Sequence, residues 1–301
     1  MGKRIAILLI GILLVLLGRG LFYYGGFYIA PPSEMPDYEQ IVAPLEPSTE
    51  YSDEYEQGKG TVLLDLAHDN AFDVEELNVL TSRLISRGLT IELLGTENDL
   101  EEELSEADAF IIVCPQGEFT KEERETAEEF VNNGGKLLLI ADPTRSGEIN
   151  SISLKFGLIF EPDYLYNMKE NDANFRNIFI TEFKENEITK DLEKIALYTA
   201  GSITSANCTA FVDQNTFSSI IETRKELSPV ALTNESKVLA IYDLTFITEP
   251  YNGILDNNKL ISNIANWLAT PAEEEEVEEE EEEEEEEEPE EEEEPEEEVA
   301  E

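Results

Sequence analysis

Residues 107–145 carry the sequence pattern that most constrains the fold of this chain. They contain an apolar run, a segment with helical spacing, two glycines and a second apolar run, at positions 109–113, 120–131, 134–135 and 136–142. Two short apolar runs joined by an amphipathic helix predict two parallel strands linked by a crossover connection. Ligands of such sheets bind beyond the carboxyl ends of the strands, which here follow Val113 and Ala141.

The same alternation extends over residues 61–270, which we predict to form one domain. Apolar runs predict strands at 61–67, 89–94, 109–113, 136–142 and 237–243. Helical spacing predicts helices after Asp73, at 100–106, at 120–131 and from Asp256. The pattern then weakens and predicts one short helix and five short strands, at 149–156, 177–183, 195–199, 209–212, 219–222 and 229–232. The predicted fold is α/β, with a doubly wound, mostly parallel sheet.

The first 30 residues predict a transmembrane anchor. Lys3 and Arg4 precede thirteen uninterrupted apolar or glycine residues, and an aromatic cluster follows Arg19. Together they supply the ~20 residues that cross a bilayer, with aromatic side chains at its interface. We favour an uncleaved anchor over a signal peptide, because Ala30 is followed by two prolines and makes a poor cleavage site. The cationic start predicts a single-pass protein of the cell membrane, with a cytoplasmic amino terminus and an extracytoplasmic domain.

Two further segments differ in composition from the domain. Residues 31–60 are rich in Pro, Ser, Glu and Tyr without a sustained period, and predict a linker. Positions 273–301 hold 24 Glu and no Lys or Arg, which predicts a disordered poly-Glu tail that binds divalent cations at most weakly. Without those 24 charges the formal net charge of −49 becomes −25. This charge argues against nucleic acid and anionic lipid headgroups as partners.

Polar side chains cluster just after the predicted strands. Because the carboxyl ends of parallel strands share an edge, we expect seven of them to form a candidate ligand site on one rim: His68, Asp69, Asn70, Cys114, Gln116, Asp142 and Asp243. An imidazole and several carboxylates suit a divalent cation or a small polar ligand. Their spacing is no metal signature, and Asp and Asn at such positions also form helix caps and Asx-turns. We therefore expect no bound metal or cofactor in the domain.

Several short motifs follow one another in a consistent order. They are Asp65-x-x-His68-x-Asn70, Phe119-Thr-x-x-Glu123, Gly134-Gly-Lys-Leu-Leu-Leu-Ile140, Phe156-Gly157, Tyr242-Asp243 and Asn263-x-x-x-Trp267-Leu. In this order the sequence resembles a family of membrane-anchored domains of unknown function, family 4350, over residues 60–268. That family is similar to the class I glutamine-amidotransferase fold and to the GldG-type auxiliary component of an ABC transport system. The resemblance implies a flavodoxin/amidotransferase-like sheet and protein partners in a membrane complex.

The resemblance also implies where an active amidotransferase would carry its cysteine nucleophile. That position is the turn after the strand at 137–140, with a His base later in the chain. Here the turn reads Ala141-Asp142-Pro143, and the single His of the chain, His68, lies upstream. A nucleophile needs a base within hydrogen-bond reach, so we do not expect amidotransferase activity.

Two hypotheses for the function follow from the sequence. We favour a membrane-anchored, non-catalytic α/β binding or scaffold module that serves an ABC transport or cell-envelope complex. The alternative is a hydrolase that uses Cys114 and His68, or a bound metal, at the rim. A disulfide between Cys114 and Cys208 stays open at this point, because two cysteines so far apart in sequence do not establish one.

Overall fold

The computed structural model describes residues 2–25, 43–220 and 226–269. It divides into two compact units, Met1–Leu45 and Glu46–Glu301. The described part of the first unit contains one helix, α1 (Gly2–Tyr24), which includes an 18-residue stretch with a mean hydropathy of 2.6. Its 23 residues span about 35 Å, enough to cross a bilayer. The prediction of an apolar N-terminal helix of membrane-spanning length is confirmed. The predicted poly-Glu tail, residues 26–30 of the predicted anchor and residues 31–42 of the predicted linker lie outside the described residues.

The second unit alternates strands and helices through its first half. Its strands are β1 (Gly60–Asp65), β2 (Leu89–Leu94), β3 (Ala109–Val113), β4 (Lys136–Ile140), β5 (Ile159–Phe160), β6 (Leu165–Asn167), β7 (Asn177–Phe183), β8 (Ile195–Tyr198), β9 (Ile203–Thr204), β10 (Cys208–Val212), β11 (Thr216–Ser218), β12 (Val230–Thr233) and β13 (Val238–Ile241). Its helices are α2 (Asn78–Ser86), α3 (Leu100–Ser105), α4 (Lys121–Asn132), α5 (Asn150–Ser153) and α6 (Asn257–Ala269). Short 3₁₀ turns cover Val74–Leu77, Leu154–Phe156, Thr245–Ile247 and Tyr251–Gly253.

Within the described residues, nine of the strands form one mixed sheet in the order β2-β1-β3-β4-β13-β12-β10-β7-β8. Strands β2, β1, β3, β4 and β13 run parallel, and the four strands beyond β13 pair antiparallel. The α/β class is therefore confirmed, but the mostly parallel sheet is corrected to a half-parallel one. The reason is local: Asn234, Glu235 and Ser236 adopt positive φ angles and close a tight β12–β13 hairpin, which forces antiparallel pairing.

Helices cover both faces of the sheet, as a doubly wound fold requires. On one face, Val62 and Leu64 of β1 pack in a core with residues of α2 and α6 that include Leu84 and Trp267. On the other face, Leu63 packs in a second core with residues of α3, α4 and α5. Successive β1 side chains thus enter opposite cores, because side chains alternate along a strand.

Local signals explain where the first helices and strands begin and end. Helix α4 starts with a capping box in which the Glu123 amide donates to Thr120 Oγ1 at 3.2 Å and the Thr120 amide donates to Glu123 Oε2 at 2.7 Å. Gly134, with φ of 102°, follows the end of the helix and leads into β4. The predicted strand at 219–222 is wrong at its start, since the strand ends at Ser218 and Ile220 is exposed. Residues 221 and 222 lie outside the described part of the chain.

Residues 46–59, hereafter the strap, have no regular secondary structure but pack on α2 and α6. Arg87, the residue that follows α2, is fully buried, and its guanidinium donates to both Asp53 carboxylate oxygens, at 3.0 and 3.1 Å. The Ser48 amide donates to the Gly253 carbonyl at 2.7 Å near the start of α6. Much of the predicted 31–60 linker is thus an ordered part of the domain.

Candidate functional site

The parallel half of the sheet brings the predicted site residues to one rim. Strands β1, β3, β4 and β13 are consecutive neighbours, and Val113 pairs with Ile140, which pairs with Ile241. Their carboxyl ends therefore lie side by side, and the segments that follow carry His68, Cys114, Asp142 and Asp243. The polar side chains of this rim largely form hydrogen bonds that connect these segments.

Asp65, the last residue of β1, organises the first part of the rim. The carboxylate is fully buried and accepts from His68 Nδ1 at 2.9 Å, from the Ala67 amide at 3.1 Å and from Asn70 Nδ2 at 3.1 Å. Asn70 Nδ2 also donates to the Val113 carbonyl at 2.9 Å, which ties this loop to β3. The sequence motif contained Asp65, but its spacing alone did not reveal that His68 and Asn70 converge on this carboxylate.

His68 connects the loop after β1 to the start of α4. Its ring is buried, stacks on Phe119 with centroids 3.7 Å apart, and places Nε2 3.6 Å from Glu123 Oε1. Burial lowers the pKa of His68, but the hydrogen bond and charge of Asp65, together with Glu123, outweigh it and raise the pKa above its usual value. Burial acts to raise the pKa of Glu123, and the Thr120 hydrogen bonds with the His68 charge bring it below the ordinary value. Glu123 was not among the seven residues that we expected at the site.

Cys114 lies at the strand end between β1 and β4 but is closed off from solvent. Its side chain is 2% exposed and its φ is 43°, a left-handed conformation that is uncommon outside glycine. Burial, together with the nearby Asp142 charge, raises the pKa of the thiol to about 12. In the described part of the chain His68 contacts Asp65 and Glu123, and no hydrogen bond joins it to Cys114. The thiol is therefore protonated at neutral pH, and His68 is not placed to deprotonate it.

Asp142 and Asp243 hold the turns that follow β4 and β13. Asp142 Oδ1 accepts from the Thr144 amide at 2.8 Å, and Oδ2 accepts from the Leu244 amide at 3.3 Å. Asp243 accepts from the Thr245 amide at 2.8 Å and from the Tyr198 amide at 2.6 Å. Burial and the neighbouring Asp142 charge raise the pKa of Asp243 well above its usual range. Both residues thus form Asx-turns and bridge neighbouring segments.

The two remaining predicted residues, Asp69 and Gln116, are exposed. Gln116 Nε2 donates to Ser146 Oγ at 3.3 Å, and Asp69 has a φ of 48° in its turn. A cleft of about 510 Å³ opens beside them, and its lining includes six carboxylates, those of Asp69, Asp99, Glu101, Glu118, Glu122 and Glu123. Among residues 2–25, 43–220 and 226–269, no group of three His, Cys, Asp or Glu residues is arranged to hold a metal ion.

The two cysteines are both free in the structure. Cys114 belongs to the core on the α2/α6 face of the sheet, and Cys208 belongs to the core on the opposite face. A disulfide between them would have to pass through the sheet, so the possibility left open by the sequence is closed.

The fold and the rim define a doubly wound α/β domain whose strand-end side chains hold its loops together. No family model matches the sequence, and no curated protein does. Among solved structures, the chain is similar to one titled "mmIFT52 N-terminal domain", with 16% identity and a TM-score of 0.58 over 69% of this chain and 97% of that chain. A putative ThuA-like protein from Bacteroides uniformis matches with 10% identity and a TM-score of 0.44 over 75% of this chain and 97% of its own. The first likeness shows a shared fold.

Proposed function

We propose that this chain is a membrane-anchored, non-catalytic α/β binding or scaffold module. In this proposal it is an accessory of an ABC transport or cell-envelope complex, as the resemblance to family 4350 implies. The amino terminus is cytoplasmic and the domain extracytoplasmic. Protein partners fit an acidic domain better than nucleic acid does, because nucleic acid requires a cationic surface.

The use of the rim residues for internal hydrogen bonds is the observation that carries this proposal. Asp65, Asn70, Asp142 and Asp243 each bond to the turns that follow the strands. A catalytic rim needs polar groups that face a substrate, whereas these groups connect one loop to the next. Such a rim makes a rigid platform, which suits a module that presents a fixed surface to partners.

The hydrolase alternative depends on Cys114. A cysteine nucleophile must be exposed to substrate and must reach its thiolate form with the help of a base. Cys114 is 2% exposed, and the pKa of its thiol is raised to about 12 by burial and the Asp142 charge. Both properties oppose nucleophilic catalysis at this position.

A complex-formation experiment tests the scaffold role directly. Membranes that contain the wild-type full chain, Cys114→Ala or His68→Gln are solubilised in mild detergent and separated by native electrophoresis. We expect all three chains to migrate in the same large complex, and a chain whose residues 2–25 are replaced by a cleavable signal to be absent from it. Migration of the wild-type chain as a free monomer would contradict the proposal. Rapid alkylation of Cys114 by iodoacetamide at neutral pH would instead favour the hydrolase.

The orientation across the membrane needs its own test. Both native cysteines are buried, so a membrane-impermeant maleimide should label only a cysteine that is introduced on the surface. Glu50 is exposed on the strap, and Lys3 lies at the start of α1. We expect Glu50→Cys to be labelled in intact cells and Lys3→Cys only after lysis. The reverse pattern would refute the proposed topology.

A further inference from the structure

We infer that the cavity beside Arg176, at the end of the sheet near β4 and β13, binds a small oxyanion, the carboxylate or phosphate group of a small molecule. The cavity has a volume of about 470 Å³, and Arg145, Asp163, Tyr164, Arg176, Thr199 and Tyr242 contribute to its lining. Its size is within the range of small-molecule sites. This site is separate from the scaffold role, and the inference stands or falls without any protein partner.

Arg176 is the residue that points to a ligand. In the described part of the chain its guanidinium forms no ion pair, and its Nε is buried without a hydrogen-bond partner. Buried polar donors in proteins are nearly always satisfied, so a buried N–H that lacks a partner indicates an acceptor supplied from outside. A guanidinium in a domain with many carboxylates has ready ionic partners, which makes an unpaired one informative.

Aromatic side chains contact this guanidinium. Arg176 Cζ lies 4.4 Å from the Tyr164 ring centroid and 5.5 Å from the Phe175 ring centroid. Cation–π contacts engage the face of a guanidinium and leave the N–H groups at its edge as donors. A planar fork of N–H donors matches the two oxygens of a carboxylate or phosphate.

The other charged groups of the cavity already have hydrogen-bond or ion-pair partners. Arg145 pairs with both carboxylate oxygens of Glu76, at 2.5 and 2.8 Å. The Asp163 carboxylate accepts from the Ser202 amide and hydroxyl, each at 2.8 Å, and also from the Ser218 hydroxyl. Among the described residues, Arg176 is therefore the charged group of the cavity with a buried donor that has no hydrogen-bond partner, and an anion is the ligand that fits a guanidinium.

The backbone of the cavity wall carries a second unusual feature. Thr199 has a φ of 63°, which is an outlier for a β-branched residue, and its amide donates to the Arg176 carbonyl at 3.0 Å. Conformations of this kind persist where the surrounding structure fixes them, and they concentrate at binding sites. The strained residue is thus hydrogen-bonded to the backbone of the residue that carries the unpaired guanidinium.

Thermal unfolding of the full chain in detergent micelles tests the site with two named probes. Sodium phosphate and sodium succinate are compared with sodium chloride at equal ionic strength, for wild type, Arg176→Gln and Arg124→Gln. Arg124 is the matched control, because it is a half-buried arginine that makes one long hydrogen bond, of 3.4 Å, to the Ser151 carbonyl. We expect phosphate, succinate or both to raise the melting temperature of wild type and Arg124→Gln, and neither to affect Arg176→Gln. Phosphate alone would identify a phosphate ligand, and succinate alone a carboxylate.

A measurement on the wild-type chain covers the case in which Arg176→Gln does not fold. Phenylglyoxal modifies free guanidinium groups, and peptide mass spectrometry follows Arg176 and Arg124 in one sample. At an anion concentration of ten times its Kd, mass action predicts about tenfold slower modification of Arg176, with Arg124 unchanged. Equal modification of Arg176 in all three salts, or no modification in any, would overturn the inference, because a cavity of this size must be open to small molecules.

Discussion

The pairing of the strap with Arg87 leads to the sharpest stability prediction. Asp53→Ala leaves the fully buried Arg87 guanidinium without its carboxylate. Removal of one partner from a buried ion pair costs about 3–5 kcal/mol. Asp53 is 19% exposed, and without it Arg87 still donates to Asn266 Oδ1 at 2.7 Å and to Ser262 Oγ at 2.9 Å. We therefore expect a loss at the lower end of this range, about 3 kcal/mol. For a domain of this size that equals a fall of roughly 6–12 °C in Tm.

Urea unfolding of the full chain in detergent, followed by tryptophan fluorescence, measures this loss. Trp267, the only tryptophan, is buried in the core and donates to the Ser236 carbonyl at 2.8 Å, so its emission reports on the domain. Glu54→Ala is the matched control, because it removes an exposed carboxylate from the same strap. We expect that control to change the free energy of unfolding by less than about 0.5 kcal/mol.

The pH dependence gives an independent check of the same pair. Burial acts to raise the pKa of Asp53, but the hydrogen bonds and charges of Arg87, Ser262 and Arg83 outweigh it and leave the pKa below its ordinary value of 3.8. The stabilisation is therefore present above pH 3.8 and is lost as the pH falls through the folded-state pKa. Asp53→Ala should lack this loss. If Asp53→Ala were as stable as Glu54→Ala at neutral pH, the strap would not be held by this pair and our reasoning would be wrong.

Three further predictions concern other parts of the chain. His68→Gln should reduce the pH dependence of the free energy of unfolding above pH 6.5. Because the pKa of His68 is raised in the folded state, its stabilising contribution is full below pH 6.5 and is lost as the pH rises through the folded-state pKa. Urea titrations across neutral pH measure this, and curves identical to those of wild type would contradict it. Gly253→Ala should cost about 1–2 kcal/mol, since an added Cβ would lie 2.5 Å from the Ser48 carbonyl oxygen and displace the strap; an unchanged urea midpoint would refute this. The full chain should resist alkaline carbonate extraction from membranes, and deletion of residues 2–25 should release it; extraction of both chains would rule out an anchor.

Local sequence signals were sufficient for the first half of the domain. The helical spacing of residues 120–131 and the glycine that follows predicted α4, and the capping box at Thr120 and Glu123 and the left-handed Gly134 show why: these signals act within one turn of the chain. Strand direction beyond β13 was not predictable in the same way. Apolar runs of four or five residues show that a strand exists, but its partner and orientation depend on the turns and on distant residues.

The candidate site shows the same limit. The rim residues were predicted to lie together because parallel strands end at one edge, and His68 and Asn70 do meet on Asp65. Their orientation depends on contacts distant in sequence, such as His68 with Glu123 and Arg145 with Glu76. Arg176 carried no sequence signal either, since an unpaired guanidinium is recognised only when its surroundings are known.

The position of β13 in the sheet has a consequence for biosynthesis. This strand comes from residues 238–241, yet it lies between β4 and β12 and joins the parallel and antiparallel halves. A ribosome must therefore produce nearly the whole domain before the sheet can close, and α6, which covers one face, follows later still. Such a late central strand makes sheet closure a late step of folding, because the long-range pairings wait for it. A nascent chain stopped before residue 238 would hold two sheet fragments without the strand that connects them.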